Sequence, residues 1–271
     1  MSFNYQTKTL SFTSGKGGVG KTTVSANVAY RLAQSGKKVL IFDADLGMAN
    51  VDIFFGTRAT HSIMDVLEGN KSIKDVIFPL DKNLSLISGG HGYEKLQNLD
   101  SFSRRTLLDS LAETTSTFDY ILIDTSPGIA QNVLQTNAAV QRVNVIITPE
   151  PSSFADSYAL IKLLNSKHKV NHFSIICNQV KNHEDGFYLF KRFQDVVQKF
   201  LIVGLEYMGS IPSDSLLRTA NYQQKLISKH MPSSDSSIAI AQITNELLKS
   251  QIRTASQGGL QFMWENLTGV A

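Results

Sequence analysis

Apolar residues in this chain fall into short, nearly continuous runs at positions 9–13, 39–42, 84–88, 120–123, 143–148, 173–177 and 205–211. Runs of this length, rich in β-branched residues, are what strands buried on both faces of a parallel sheet look like. Between them lie stretches of helical length and period at 22–35, 104–115, 154–167 and 185–200, the first closed by Gly36 in a favoured capping position. The alternation predicts an α/β fold, a doubly wound and mostly parallel sheet flanked by helices. Ligands of such folds bind at the carboxyl ends of the strands. The unusual residues gather there: a glycine-rich turn after the first run, Asp43 and Asp45 after the second, Gly89-Gly90 after the third, and Asp124 after the fourth. Pro149-Glu150, Asn178 and Pro212 follow the last three.

Composition narrows the class. A chain of 271 residues that is 42% apolar can build a sizeable core without disulfides or a structural metal. The one cysteine, Cys177, excludes a disulfide framework and a four-cysteine iron–sulfur cluster, fits a reducing cytoplasm, and reads as a small hydrophobe in a buried strand. The six histidines lack metal-ligand spacing. A net charge of +3 gives no reason to expect a direct nucleic-acid partner. No apolar run is long enough to span a bilayer, and the first eight residues lack the pattern of a secretion signal. Pro232 to Ser237 predicts a loop before a final helix. The expected organisation is one domain over residues 1–254 and a C-terminal amphipathic tail over 255–271.

The turn after the first run carries Gly15-x-x-x-x-Gly20-Lys21-Thr22. Glycines there let backbone N–H groups converge on phosphate oxygens, at the start of a helix whose dipole favours anions. Lys21 is expected to reach the β- and γ-phosphates and the Thr22 hydroxyl to ligate Mg²⁺. Phosphoryl transfer to water also needs a group that orients the nucleophile and an acid on the metal's shell. Asp45 is assigned the first role, with a place near the metal. Asp124 is assigned the second, and Asp43 supports the metal shell or Lys21. Gly128, in Asp124-Thr125-Ser126-Pro127-Gly128, is placed to offer its N–H to a γ-phosphate.

Lys16-Gly17-Gly18-Val19-Gly20-Lys21-Thr22-Thr23 resembles the deviant Walker A signature of the MinD/ParA ATPases. The resemblance implies a SIMIBI-type P-loop fold, ATP/ADP and Mg²⁺ as ligands, and an ATP-dependent homodimer in which Lys16 crosses to the partner's phosphates. It implies slow intrinsic turnover that a partner stimulates. It places Asn178, Pro212 and Asp214 around the adenine, and Glu150 near the dimer interface. Asp43-Ala44-Asp45-Leu46-Gly47-Met48-Ala49-Asn50-Val51-Asp52 and Glu150-Pro151-Ser152-Ser153-Phe154-Ala155-Asp156-Ser157-Tyr158-Ala159-Leu160-Ile161-Lys162 are similar to segments of the flagellar-number regulators FlhG and FleN, as is the tail. That group implies partners among flagellar proteins: an FlhF-type GTPase, a FleQ-type activator and switch-complex components. The chain lacks the D-Q-A-x-x-L-R stretch with which some members stimulate the GTPase.

In the tail, Leu260, Met263, Trp264, Leu267 and Ala271 share one helical face, with Glu265 the single charge from 260 onward. Two occupants fit that face: a membrane surface, giving peripheral ATP-dependent placement at the inner side of the cell membrane, or the protein's own domain. The functional alternatives are a ParA-like DNA-partitioning ATPase, a MinD-type cell-division regulator, and an adaptor that binds ATP for structure. The aromatics of 185–200 are expected to pack in the core.

Overall fold

The computed structural model describes residues 7–45, 50–89 and 101–250, without the side chains of Leu67 and residues 101–107. Positions 46–49 of the second-strand motif, Gly90 and the tail expected over 255–271 lie outside the described residues.

The first half contains β1 (Lys8–Thr13), α1 (Lys21–Gln34), β2 (Val39–Ala44), α2 (Ile63–Leu67), β3 (Phe78–Asp81), β4 (Leu84–Ser88), α3 (Ser101–Thr115) and β5 (Tyr120–Thr125). It is followed by α4 (Gln131–Ala138), β6 (Arg142–Ile147), α5 (Pro151–His168), β7 (His172–Val180), α6 (His183–Phe200), β8 (Gly204–Pro212), α7 (Ser215–Tyr222), α8 (Ile227–His230) and α9 (Asp235–Lys249). The strands form one sheet in the order β3-β4-β2-β5-β1-β6-β7-β8. Every neighbouring pair is parallel except β3–β4. All seven runs expected as strands are strands. β3 is an added edge strand, short and half-exposed, and its Pro79 is tolerated there because an edge need not pair on both sides.

Side chains alternate between two apolar layers. Leu10, Ile41, Leu122 and Ile176 face α1, α8 and α9. Val145, Ile147, Ile175 and Cys177 face α4, α5 and α6, while Leu40, Phe42, Ile121 and Ile123 face Leu108 and Leu111 of α3. Each fully buried Leu, Ile or Phe contributes about 1.5–3 kcal/mol by leaving water. Of the aromatics expected in the core from α6, Phe190 and Phe193 are buried, whereas Phe187 and Phe200 are exposed and rest edge-on against Tyr207 and Tyr158. The final helix begins inside the serine-rich stretch, because Ser234 Oγ accepts the Ser237 N–H and caps it.

Cys177 is wholly buried, and loss of solvent pushes its thiol up to about 12. The expected result is no reaction with an aromatic disulfide reagent at neutral pH in the folded protein, and one equivalent in denaturant, followed by absorbance. Fast labelling of the native protein would contradict this placement.

Strand order reverses across β1: the chain leaves it for β2 on one side and reaches β6 on the other. The crevice over such a switch point is where α/β folds bind ligands. The register aligns Phe12 of β1 with Asp124 of β5, and Asp124 with Asp43 of β2. The loop, both carboxylates and the first turn of α1 are thereby gathered at one edge.

Candidate functional site

Residues 14–20 leave β1, reverse through left-handed Gly18 (φ 77°) and Gly20 (φ 91°), and run into α1. Only glycine adopts such angles without strain. Val19 is buried in the core and pins the middle of the loop. Ser14 Oγ donates to the Lys16 carbonyl at 2.6 Å, tightening the turn. Gly15 and Gly20 are small for a second reason. A Cβ on Gly15 would collide with the Asp156 carbonyl of α5 and come within 2.6 Å of the Ser157 nitrogen. A Cβ on Gly20 would come within 2.5 Å of Asn178 Nδ2. Gly15→Ala is therefore expected to cost about 1–3 kcal/mol or more of stability, read from urea unfolding. The obstacle is backbone, so a side-chain shift cannot relieve it, and a neutral result would contradict this seating of the loop on α5.

Lys21 is only 8% exposed. Burial holds its ammonium below the usual lysine range, while the charges of Asp124 and Asp45 oppose that shift. Asp124 is 1% exposed. Its Oδ2 accepts the Thr22 hydroxyl at 2.6 Å, while its buried Oδ1 has no partner among the described residues. Burial, helped by the nearby charge of Asp43, pushes its carboxyl up to about 7 against the pull of Thr22 and Lys21. A buried carboxylate oxygen without a donor, beside a hydroxyl, is the kind of oxygen donor set a hydrated Mg²⁺ uses. Residues Thr22 and Asp124 fit that ion. Among the described residues no group of three or more His, Cys, Asp or Glu forms a protein-only metal cage, and Mg²⁺ bound through few protein ligands needs none.

The other expected residues divide. Asp45 lies half-buried at the rim of the site, where its Oδ1 accepts the Ser126 hydroxyl at 2.9 Å. Asp43, expected near the metal, spends both oxygens on backbone: Oδ1 accepts Asp45 N–H at 3.1 Å, and Oδ2 accepts Asn50 N–H at 2.9 Å and Val51 N–H at 3.1 Å. It ties down the chain after β2, and burial pushes its carboxyl up to about 6 against those amides. Thr23 is buried and accepts from Asn221 Nδ2 of α7 at 3.2 Å. Gly128 (φ 100°) gives its N–H to the Ser14 carbonyl at 2.9 Å, so in this state it braces the loop.

Lys16 reaches back to its own chain, with its ammonium against the Glu150 carboxylate and 2.8 Å from Ser152 Oγ at the start of α5. Asn178 donates its amide to the Val19 carbonyl at 2.7 Å. Asp214 caps α7 through Leu216 N–H at 2.8 Å and holds Ser236 Oγ at 2.7 Å, next to half-buried Pro212. Ser126, Ser152 and Gln179 take part without having been singled out by sequence. Each adjoins a motif residue, which was the available signal.

A family model described as an AAA domain matches residues 7–178. Antiactivator FleN of Pseudomonas aeruginosa is 33% identical over 258 residues, covering 95% of this chain and 92% of that protein. Flagellum site-determining protein YlxH of Helicobacter pylori is 36% identical over 265 residues, covering 96% and 87%. The septum site-determining protein MinD from Pyrococcus horikoshii, solved in complex with Mg-ADP, superposes with a TM-score of 0.69 at 25% identity, over 90% of this chain and 96% of that one.

The chain belongs to the MinD/ParA family of P-loop ATPases. Within that family it stands with the flagellar regulators FleN and YlxH, at 33–36% identity along nearly its whole length. The eight-stranded sheet, with the loop after β1 opening α1, is the family's P-loop fold. It is an ATP-binding P-loop NTPase of this family, and its glycine-rich motif lies at the switch point over β1. No helix among the described residues is long and apolar enough to cross a membrane.

Proposed function

We propose that this MinD/ParA-family member is an ATP-driven dimerising switch that regulates flagellar number and placement. The observation that carries the catalytic half is the Asp124 carboxylate, buried with one oxygen on Thr22 and the other without a donor among the described residues, beside buried Lys21 at the foot of a glycine loop. The flagellar half rests on the full-length similarity to FleN and YlxH.

In this reading the loop N–H groups and Lys21 bind the triphosphate, and Thr22 and Asp124 would hold Mg²⁺ with Asp45 nearby. Bound Mg²⁺ would neutralise charge on the phosphate oxygens. Asp45, oriented by Ser126, fixes the attacking water. Lys16 leaves Glu150 and Ser152 and stabilises the γ-phosphoryl of the other copy. A lysine supplied in trans makes hydrolysis depend on assembly and can be worth about 10³–10⁵ in rate, as arginine fingers are. Asp43 and the Ser126-to-Gly128 turn carry the state of the γ-phosphate to the surface. Turnover is slow until a partner binds. That partner belongs to the flagellar set of an FlhF-type GTPase, a FleQ-type activator or switch-complex components. Residues 1–254 act as the ATPase domain in the cytoplasm, and the tail from 255 gives the dimer a membrane-facing or self-docking helix. Two tails per dimer would bind a surface far more strongly than one.

Size-exclusion chromatography with light scattering tests the reading. A monomer without nucleotide and a dimer with ATP and Mg²⁺ is the expected result. A mass indifferent to nucleotide would refute the switch.

A further inference from the structure

Two side-chain amides from the end of β7 grip the carbonyl side of the phosphate loop. Asn178, 3% exposed, donates to the Val19 carbonyl at 2.7 Å. Gln179, exposed, donates to the Gly18 carbonyl at 3.3 Å. The pairing of β7 with β8 slips between Asn178 and Val180, and Gln179 sits in the left-handed region at φ 57°. A non-glycine residue there is costly, and bulges of this kind re-aim side chains. Here the bulge turns two consecutive side chains of one strand onto the same loop, where a regular strand would send them to opposite faces.

A trans peptide points its C=O and the following N–H in opposite directions. Holding the Gly18 carbonyl toward Gln179 turns the Val19 N–H the other way, and holding the Val19 carbonyl toward Asn178 does the same for the Gly20 N–H. With positive φ at Gly18 and Gly20, each of these peptides borders a glycine that can turn over at little cost. The grip therefore sets two N–H groups toward the phosphate side before ligand arrives.

We propose that Asn178 and Gln179 are positioning residues that hold the peptide planes of the phosphate loop in register for polyphosphate, so that their effect is exerted on the phosphates and does not require a base. This rests on the reading of the loop as the triphosphate site, and it gives Asn178 a role separate from contact with adenine.

The test is calorimetry of the full chain with ATP, CTP and inorganic tripolyphosphate, each with Mg²⁺, on wild type, Asn178→Ala, Gln179→Ala and Gln179→Gly. Asn178→Ala is expected to lose about 3–10-fold in affinity, and Gln179→Ala about 2–3-fold, by similar factors for all three ligands. Gln179→Gly relieves the positive φ, so its melting temperature is expected to stay level or rise while its affinity falls as in the alanine variant. A purely structural role could not divide stability from affinity in that way. Without ligand, amide exchange at residues 18–20 is expected to quicken in Asn178→Ala. A loss confined to ATP, with tripolyphosphate bound as tightly as by wild type, would overturn the proposal in favour of base contact. So would a Gln179→Gly protein that binds at wild-type affinity. If Asn178→Ala does not fold, the surface variants at Gln179 decide the matter. Wild type that ignores all three ligands would instead overturn the triphosphate reading itself.

Discussion

Lys21→Ala is expected to abolish measurable ATP binding, and with it ATP-dependent pairing. Lys21 is a cation with little access to water, under the pull of the Asp124 and Asp45 charges. A charge already stripped of solvent contributes far more to a triphosphate than a surface lysine would, because the surroundings screen it weakly. Truncating one partner of a buried charge pair costs about 2–5 kcal/mol or more. The variant loses the attraction to phosphate and also exposes that phosphate to two unscreened carboxylates. A fall of at least about 100-fold in affinity follows, measured by calorimetry with a slowly hydrolysed ATP analogue and Mg²⁺. Arginine is not expected to rescue, since its broad planar head cannot take the place of a compact ammonium. Binding within tenfold of wild type would remove Lys21 from the centre of the site.

Asp45→Ala is expected to separate binding from turnover. The residue sits at the rim, touches none of the loop's anchoring bonds, and is steadied by Ser126 and by the chain that Asp43 ties down. Losing a group that orients the attacking water lowers rates by about 10²–10⁴-fold. ATP should still bind and the dimer should accumulate, because nothing removes the triphosphate that holds it. Phosphate release and light scattering on the same sample read both effects. Ser126→Ala keeps the carboxylate and frees it to wander, so it should show a smaller loss of about tenfold without loss of binding. An Asp45→Ala protein that hydrolyses ATP at the wild-type rate would leave the water without its assigned partner.

Periodicity revealed seven of the eight strands and the long helices because each depends on a local pattern: β-branched runs for 120–123 and 143–148, and a stripe of buried Phe, Leu and Val for α6. Burial on both faces makes those runs hard to mistake. β3 was not legible, since Phe78-Pro79-Leu80-Asp81 is too short, carries a proline, and gains its identity only by lying beside β4. Helix α4, Gln131–Ala138, lacks a strong apolar period and buries Thr136 and Asn137 as well as Val133 and Leu134. Asn137 is satisfied by strand β1, which no local window contains.

That Lys21, Thr22 and Asp124 come together at one strand edge was readable from spacing, because a phosphate loop and an acid after a neighbouring strand must converge there. The roles of Asp43 and Asn178 as braces were not, for their partners are backbone groups whose positions depend on the finished loop. Sequence shows that a carboxylate stands at a strand end. It does not show how many N–H groups the following turn aims at it.

Beneath the loop, Asn137 accepts from Ser11 Oγ at 2.7 Å and donates to Thr13 Oγ1 at 3.0 Å, while Asn144 donates to the Ser11 carbonyl at 2.9 Å. These bonds rivet β1 to α4 and β6 from within, in a dry interior where each broken one costs about 1–3 kcal/mol. The keel of the molecule cannot slide by a residue without unseating all three. In the proposed switch, a movement that reports the loss of a phosphate would then travel along the rim, past Asp43 and Ser126, while the strand that bears the load stays still.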